Sequence, residues 1–142
     1  MDVVAHLEAP HPAAAVFAVV DDLGTYPRWL DIVPRADPVA DGAWLVDLRG
    51  RLGPFARSKR LRMARTEREP DRLVVFERAE GDGRQHSPWV LRAEVGPNGD
   101  GASRLTMRLH YGGGLWGPVL ERLLGDAIEH SRPRLLALLD DR

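Results

Sequence analysis

Cysteine is absent from this chain of 142 residues, which excludes disulfide bonds, thiolate nucleophiles and cysteine metal sites. Lysine is almost absent as well, because Lys59 is the only one and the other basic residues are arginines. Basic and acidic residues nearly balance, at 20 and 21, so the sequence lacks the positive excess typical of nucleic-acid binding. We therefore expect no nucleic-acid partner.

Long hydrophobic runs are missing too. No apolar segment approaches the ~20 residues that span a bilayer, which predicts no membrane insertion. The first residues carry acids and no apolar stretch, so a signal peptide is not expected. Repeats and low-complexity linkers are absent, and this length suits one core. We expect a soluble, cytoplasmic protein whose single domain covers residues 1–142.

The sequence does contain a clear order of secondary structure. Alternation over 3–7 predicts a first strand, and Pro12 precedes a helix over 13–20, with a second short helix at 26–30. Alternating runs separated by turn residues predict further strands near 37–40, 44–50, 56–67, 73–78, 88–95 and 104–111. A glycine segment at 112–114 then leads into a long amphipathic helix that begins at about Trp116 or Gly117. The order predicts an α+β domain.

Three stretches of this chain resemble the START/SRPBCC superfamily, which holds polyketide cyclases, lipid-transfer domains and the birch-pollen allergen group. They are Tyr26-Pro-Arg-Trp-Leu-Asp-Ile-Val33, Trp89-Val-Leu-Arg92, and the closing strand, glycine segment and helix. The resemblance covers essentially the whole chain. It implies a helix-grip fold, in which a curved antiparallel sheet of about six or seven strands wraps a long C-terminal helix. Two short helices would follow strand 1, and an apolar ligand cavity would lie between sheet and helix.

Strand alternation and the helix stripe indicate which side chains face such a cavity. For a single leucine the alternative is plain core packing, and for Ser131 it is a hydrogen bond to the helix carbonyl one turn earlier. Trp29 and Trp116 are expected to form a gate at one end. The predicted ligand-binding residues are Trp29, Trp44, Leu48, Met63, Phe76, Trp89, Leu91, Met107, Tyr111, Trp116, Leu124, Ile128 and Ser131.

Three basic residues share strand parity with apolar neighbours. Arg57, Lys59 and Arg65 would point inward beside Leu61 and Met63 in a regular strand. Because an unpaired buried charge is costly, we expect either a β-bulge near Ser58 or exposure of these groups at the cavity rim. A functional interpretation is that Arg57 contacts an anionic or enolate group of a ligand.

Histidine spacing indicates no metal site. His6, His11, His86, His110 and His130 are scattered without a zinc-binding pattern, so neither a metal nor a cofactor is expected. His86 is the histidine that we single out as a proton carrier. Together with Arg57 and Tyr111 it completes the set of candidate catalytic groups.

The leading hypothesis is binding of a hydrophobic or aromatic small molecule, lipid- or polyketide-like, in an internal cavity. One alternative is an enzyme similar to polyketide aromatase/cyclases, which would show a connected polar network inside the cavity. Another is a protein-interaction role, which would show a filled core and a large exposed apolar patch. A homodimer is compatible with each. Ligand sites commonly hold roughly 300 Å³ or more, and we expect a cavity of that order.

Overall fold

The computed structural model of the chain describes residues 2–52, 55–112 and 117–142. Its elements are, in order, β1 (Asp2–Ala9), α1 (Ala13–Val20), a 3₁₀ helix (Leu23–Arg28), β2 (Arg35–Ala40), β3 (Ala43–Leu52), β4 (Phe55–Glu69), β5 (Leu73–Arg78), β6 (Trp89–Pro97), β7 (Ser103–Tyr111) and α2 (Gly117–Asp140). In these described ranges no helix is long and apolar enough to cross a membrane.

The strands form one antiparallel sheet in the order β1-β7-β6-β5-β4-β3-β2. The chain reverses direction between successive strands from β2 to β7, and β1 then adds to the free edge of β7. One face of the sheet packs against α1, the 3₁₀ helix and α2, and we call it the inner face. Alternate strand residues such as Val46, Phe76 and Leu105 are buried on it. The α+β helix-grip prediction is confirmed.

The second short helix differs from the sequence expectation. It is a 3₁₀ helix over Leu23–Arg28 rather than a short helix over 26–30. The Asp22 carboxylate accepts a hydrogen bond from the Gly24 N–H at 2.8 Å, which starts the turn early. Tyr26 Oη donates to the Val20 carbonyl at 2.9 Å, so the segment is tied to the end of α1. These bonds shift the segment towards the N-terminus.

Of the two alternatives expected for the basic residues of β4, a bulge near Ser58 or exposure at the rim, the bulge is not found. The pairing of β3 with β4 is unbroken from Ala43 opposite Ala64 to Leu52 opposite Phe55. The register shift lies instead between Arg65 and Glu67, in the pairing of β4 with β5. A regular strand is tolerated because Arg65 is not an isolated charge.

Arg65 lies at the end of the inner face next to α1. Its Nε lies 3.2 Å from Asp21 Oδ1, and its Nη2 donates to the Asp21 carbonyl at 2.5 Å. Its guanidinium also lies 5.1 Å from the ring centroid of Trp44. Arg68 reaches the same carboxylate from a more exposed position, with Nε 3.0 Å from Asp21 Oδ2. Ionic and aromatic contacts therefore offset the cost of placing an arginine on the inner face.

Gly112, at the end of β7, permits a close backbone approach. An added Cβ would lie 2.8 Å from Pro88 Cδ, closer than carbon atoms can pack. The Gly112 N–H donates to the Pro88 carbonyl at 2.9 Å, which holds the two segments together. Gly113 and Gly114, the other residues of the predicted hinge, lie outside the described ranges.

Replacing Gly112 by alanine should reduce the free energy of unfolding by about 1–3 kcal/mol, because the rigid Pro88 ring must shift. Gly96→Ala in β6 is the matched control: its added Cβ meets nothing within 4 Å, and its φ is not positive. The control should be neutral or up to about 1 kcal/mol more stable. Urea unfolding of the two variants measures the difference. Equal stability would contradict the close-approach interpretation.

Arg65→Ala should destabilise the fold by about 2 kcal/mol, since it leaves the half-buried Asp21 carboxylate with the more exposed Arg68 as its cationic partner and removes a ring contact. Arg68→Ala removes a more exposed partner of the same carboxylate and should cost less than about 1 kcal/mol. Chemical denaturation monitored by tryptophan fluorescence compares the two. A larger loss for Arg68→Ala would refute this role of Arg65.

Candidate functional site

An apolar cavity of about 100 Å³ lies between the inner face at β1, β6 and β7, the 3₁₀-helix segment and α2. It is smaller than the cavity expected from the sequence, and close to the roughly 150 Å³ that holds a benzene ring in an engineered protein core. The residues that line it are Val3, Ala5, His6, Leu7, Tyr26, Trp29, Leu30, Leu91, Leu105, Met107, Leu109, Leu124, Ile128, Ser131, Arg132 and Leu135.

Most polar groups on this wall are already bonded within the protein. Ser131 Oγ donates to the Ile128 carbonyl at 2.7 Å, as the helix back-bonding alternative predicts. Arg132 donates to the His6 carbonyl, which ties α2 to the edge strand β1. The Tyr26 hydroxyl is bonded to the Val20 carbonyl, and burial raises its pKa well above the ordinary range. These groups therefore leave the cavity apolar in character.

Trp29 is the exception on the cavity wall. The residue is 2% exposed, and its indole Nε1 has no hydrogen-bond partner among the described residues. Its ring packs against Tyr26, with the ring centroids 4.6 Å apart. A buried N–H without an acceptor is uncommon and destabilising in a folded protein. Trp29 thus carries a buried donor without a partner in the described part of the chain.

A second aromatic cluster lies one strand step from the cavity. Trp89 stacks on Tyr111 with ring centroids 5.4 Å apart, directly beyond the paired Leu91 and Leu109 of the cavity wall. Lys59 Nζ lies 5.9 Å from the centroid of the Trp89 ring. Burial, and secondarily the nearby Arg78 guanidinium, lowers the pKa of the Lys59 amine. Within the described ranges no carboxylate lies within 4 Å of this amine.

Residues 2–139 match the family described as polyketide cyclase / dehydrase and lipid transport. The chain belongs to this family. The START/SRPBCC resemblance seen in the sequence is thereby confirmed. None of the curated proteins matches the chain.

Solved structures share the fold of this polyketide cyclase/dehydrase family member. A START superfamily protein from Mycobacterium smegmatis has 19% identity and a TM-score of 0.73, with 99% of this chain and 97% of that one covered. The Zhui aromatase/cyclase from Streptomyces sp. R1128 has 13% identity and a TM-score of 0.70, with 100% and 94% covered. A conserved protein from Geobacillus kaustophilus has 12% identity and a TM-score of 0.78, with 99% and 96% covered. At these identities the likeness shows the fold alone.

The structure divides the predicted ligand-binding residues into two groups. Those that line the cavity are Trp29, Leu91, Met107, Leu124, Ile128 and Ser131. Those that lie elsewhere in this family member, outside the cavity wall, are Trp44, Leu48, Met63, Phe76, Trp89 and Tyr111. Trp116, and with it the proposed gate, lies outside the described residues. Contact of any of these residues with a ligand stays a prediction.

The candidate catalytic groups do not form a cluster around the cavity in the described part of the chain. His86 lies in an exposed loop, where its Nε2 is 2.9 Å from Asp82 Oδ2. Tyr111 is buried against Trp89, and burial raises the pKa of its hydroxyl, with a smaller contribution from Glu121. The side chain of Arg57 lies outside the described residues. No group of three histidine, aspartate or glutamate residues in the described ranges could hold a metal ion.

Sequence reasoning missed one wall of the cavity, formed by Val3, Ala5 and Leu7 of β1. The alternation of these residues was visible and correctly predicted a strand. Their place beside β7 follows from pairing across the length of the chain, with Ala5 opposite Met107. The local pattern does not contain that pairing, although a superfamily template for the sheet order would have indicated it.

Lys59 offers a direct test of the polar end of the inner face, because it is the only lysine of the chain. Reductive methylation with ¹³C-formaldehyde would label this amine, separately from the terminal one. In the folded protein its titration midpoint should lie below the midpoint of the same labelled amine in the urea-unfolded protein. A folded midpoint at or above the unfolded one would refute the burial of this amine.

The same shift has a consequence for stability. Since the pKa of Lys59 is lowered in the folded state, the unfolded state binds more protons between the two pKa values. The contribution of Lys59 to the free energy of unfolding should therefore rise as pH increases through that interval. Denaturation of the wild type and of Lys59→Met at neutral pH and near pH 10.5 isolates this contribution. An unchanged difference between them would contradict it.

Proposed function

We propose that this protein binds a small hydrophobic or aromatic molecule in the cavity between the sheet and α2. The observation that carries the proposal is the cavity itself, whose wall is built from aliphatic and aromatic side chains of β1, β6, β7 and both helical segments. Burial of apolar surface would supply the affinity, at roughly 25 cal/mol per Å². The preformed volume favours a ligand about the size of a single six-membered ring.

The enzyme alternative receives less support from the site. An aromatase/cyclase of this fold would need groups placed to move protons within the cavity. Tyr26 and Ser131, which lie on the wall, are already bonded to the backbone carbonyls of Val20 and Ile128. His86, the proposed proton carrier, belongs to an exposed loop. The apolar wall therefore favours binding over catalysis, although Zhui, of similar fold, is named an aromatase/cyclase.

The protein-interaction alternative would require a contiguous exposed apolar surface. In the described part of the chain, the large hydrophobic residues that are exposed are Val4 and Val39. They lie on β1 and β2, at opposite edges of the sheet, and do not form a patch. A lipid- or polyketide-like ligand, a cytoplasmic location and a homodimer stay predictions.

Filling the cavity should weaken ligand binding. Ala5→Phe places a ring in the cavity from β1, and it should weaken binding of toluene by at least about tenfold, because the ligand volume is occupied. Val4→Phe is the matched control, since Val4 is the neighbouring residue on the opposite face of the same strand and is 45% exposed. It should change the affinity less than about twofold.

Toluene binding can be followed by methyl resonances in ¹H–¹³C NMR and by native mass spectrometry. Circular dichroism would confirm that both variants remain folded. The proposal requires saturable binding to the wild type and selective loss in Ala5→Phe. Absence of binding to the wild type, or equal binding to both variants, would overturn it.

A further inference from the structure

Lys59 is a cation of the inner face that lacks an ionic partner of its own. It lies on β4 opposite Leu48 of β3, in the inward-facing set of that strand. Arg78 and Glu80 act on the Lys59 amine electrostatically, but they are paired with each other, with Arg78 Nε 2.7 Å from Glu80 Oε1. Among the described residues, Lys59 Nζ has neither a carboxylate within 4 Å nor a hydrogen-bond acceptor.

The amine lies over an aromatic surface instead. Lys59 Nζ is 5.9 Å from the centroid of the Trp89 ring, and Trp89 stacks on Tyr111 with the ring planes inclined by 26°. Lys59 is partly exposed, and Nζ is not among the polar side-chain atoms of the described residues that are closed off from solvent. The site therefore combines an amine that can be reached from outside with a flat, apolar neighbour.

These surroundings favour the neutral form of the amine. Burial, followed by the Arg78 guanidinium, lowers the pKa of Lys59, and Glu80 opposes this with a smaller effect. A neutral amine is a nucleophile, whereas an ammonium group is not. Lysines that react with carbonyl compounds are commonly activated by desolvation or by a neighbouring cation, and Lys59 has both.

We propose that Lys59 is a covalent attachment site for an aldehyde with an aromatic body, which forms a Schiff base with Nζ while its ring lies against Trp89. The Nζ lone pair adds to the carbonyl carbon, and the resulting carbinolamine loses water. A C=N bond replaces the C=O bond, and the two Nζ protons leave with the oxygen. The step needs no oxidant or reductant.

The product suits the position better than the free ammonium group does. A neutral imine carries no charge to be desolvated, so attachment removes a cost that the protein offsets only weakly. An aromatic body adds apolar contact with the indole face, and such ring pairs contribute about 0.5–1.5 kcal/mol beyond the area that they bury. An aldehyde is favoured over a ketone because its carbonyl carbon is less hindered in a partly buried site.

This site is distinct from the apolar cavity. Neither Lys59 nor Trp89 belongs to the wall of that cavity. The inference therefore goes beyond the proposed function and does not depend on it. Toluene binding and aldehyde attachment are measured separately, so the failure of one leaves the other standing.

Trapping with benzaldehyde and cyanoborohydride tests the attachment, because the reductant converts the imine into a stable secondary amine. Peptide mass spectrometry then separates labelling of Lys59, the only lysine, from labelling of the terminal amine. The matched control is the double variant Lys59→Arg/Arg122→Lys, which keeps the charge and moves the lysine to an exposed position of α2. Near neutral pH, Lys59 should be labelled at least about fivefold faster than the lysine of the double variant.

The wild type unfolded in guanidinium chloride supplies a second reference that needs no variant. Its lysine should also react at least about fivefold more slowly than Lys59 in the folded protein, because unfolding removes the burial that favours the neutral amine. Circular dichroism would confirm that the double variant is folded. A folded-state rate at or below the unfolded one would overturn the proposal, as would equal rates for the wild type and the double variant.

A pair of aldehydes tests the role of the ring. Trp89→Leu keeps an apolar side chain but removes the flat surface, so it should slow labelling by benzaldehyde at least about threefold more than labelling by butanal. Trp44→Leu is the control, because Trp44 packs against Phe76 and Arg65 rather than Lys59. It should leave the ratio of the two rates unchanged. An equal effect of Trp89→Leu on both aldehydes would refute the preference for an aromatic body.

Discussion

The pairing of β7 with both β1 and β6 is the constraint on which the cavity depends. It sets Met107 opposite Ala5 and Ala93, and Leu109 opposite Val3 and Leu91. Because side chains alternate along a strand, a slip of one residue would turn the apolar set of β7 away from α2 and bring its arginines inward. Trp89 and Tyr111 stack at the end of the same ladder. The cavity wall and the neighbouring aromatic cluster thus share one register.

Charge on the inner face is handled differently at its two ends. Near α1, Arg65 contacts the Asp21 carboxylate and carbonyl and the ring of Trp44. These contacts offset the cost of desolvating its charge. Farther along the same strand, Lys59 rests on Trp89 without a carboxylate within 4 Å in the described ranges. Burial lowers the pKa of the Lys59 amine. Arg65 is accordingly a structural residue. For Lys59, contacts within the protein offset the desolvation cost of the charged amine only weakly.

Much of this fold could be predicted from the sequence because its strands alternate and its turns use glycine, proline and aspartate. The bounds of α1 and β5 agree with the pattern, and β2 to β4 and β6 to β7 differ by at most a few residues. The early start of the 3₁₀ helix was not predictable from periodicity, since it depends on side-chain hydrogen bonds, in which the Gly24 N–H donates to the Asp22 carboxylate and the Tyr26 hydroxyl donates to the Val20 carbonyl. Long-range side-chain bonds also explain why Arg65 needs no bulge near Ser58.

The site was predicted only in part, for a related physical reason. Alternation identifies which residues face inward, as it did for Leu91 and Met107, but it does not tell a filled part of the interior from an empty one. Trp44 and Phe76 face inward and pack edge to face, with ring centroids 5.5 Å apart, so they fill the space between them. The empty volume lies toward β1, whose alternate residues Val3, Ala5 and Leu7 include small and medium side chains. A cavity thus forms where the volume enclosed by the sheet and helices exceeds the volume of the side chains inside it. The enclosed volume depends on how the strands pair in three dimensions, which the local pattern does not contain.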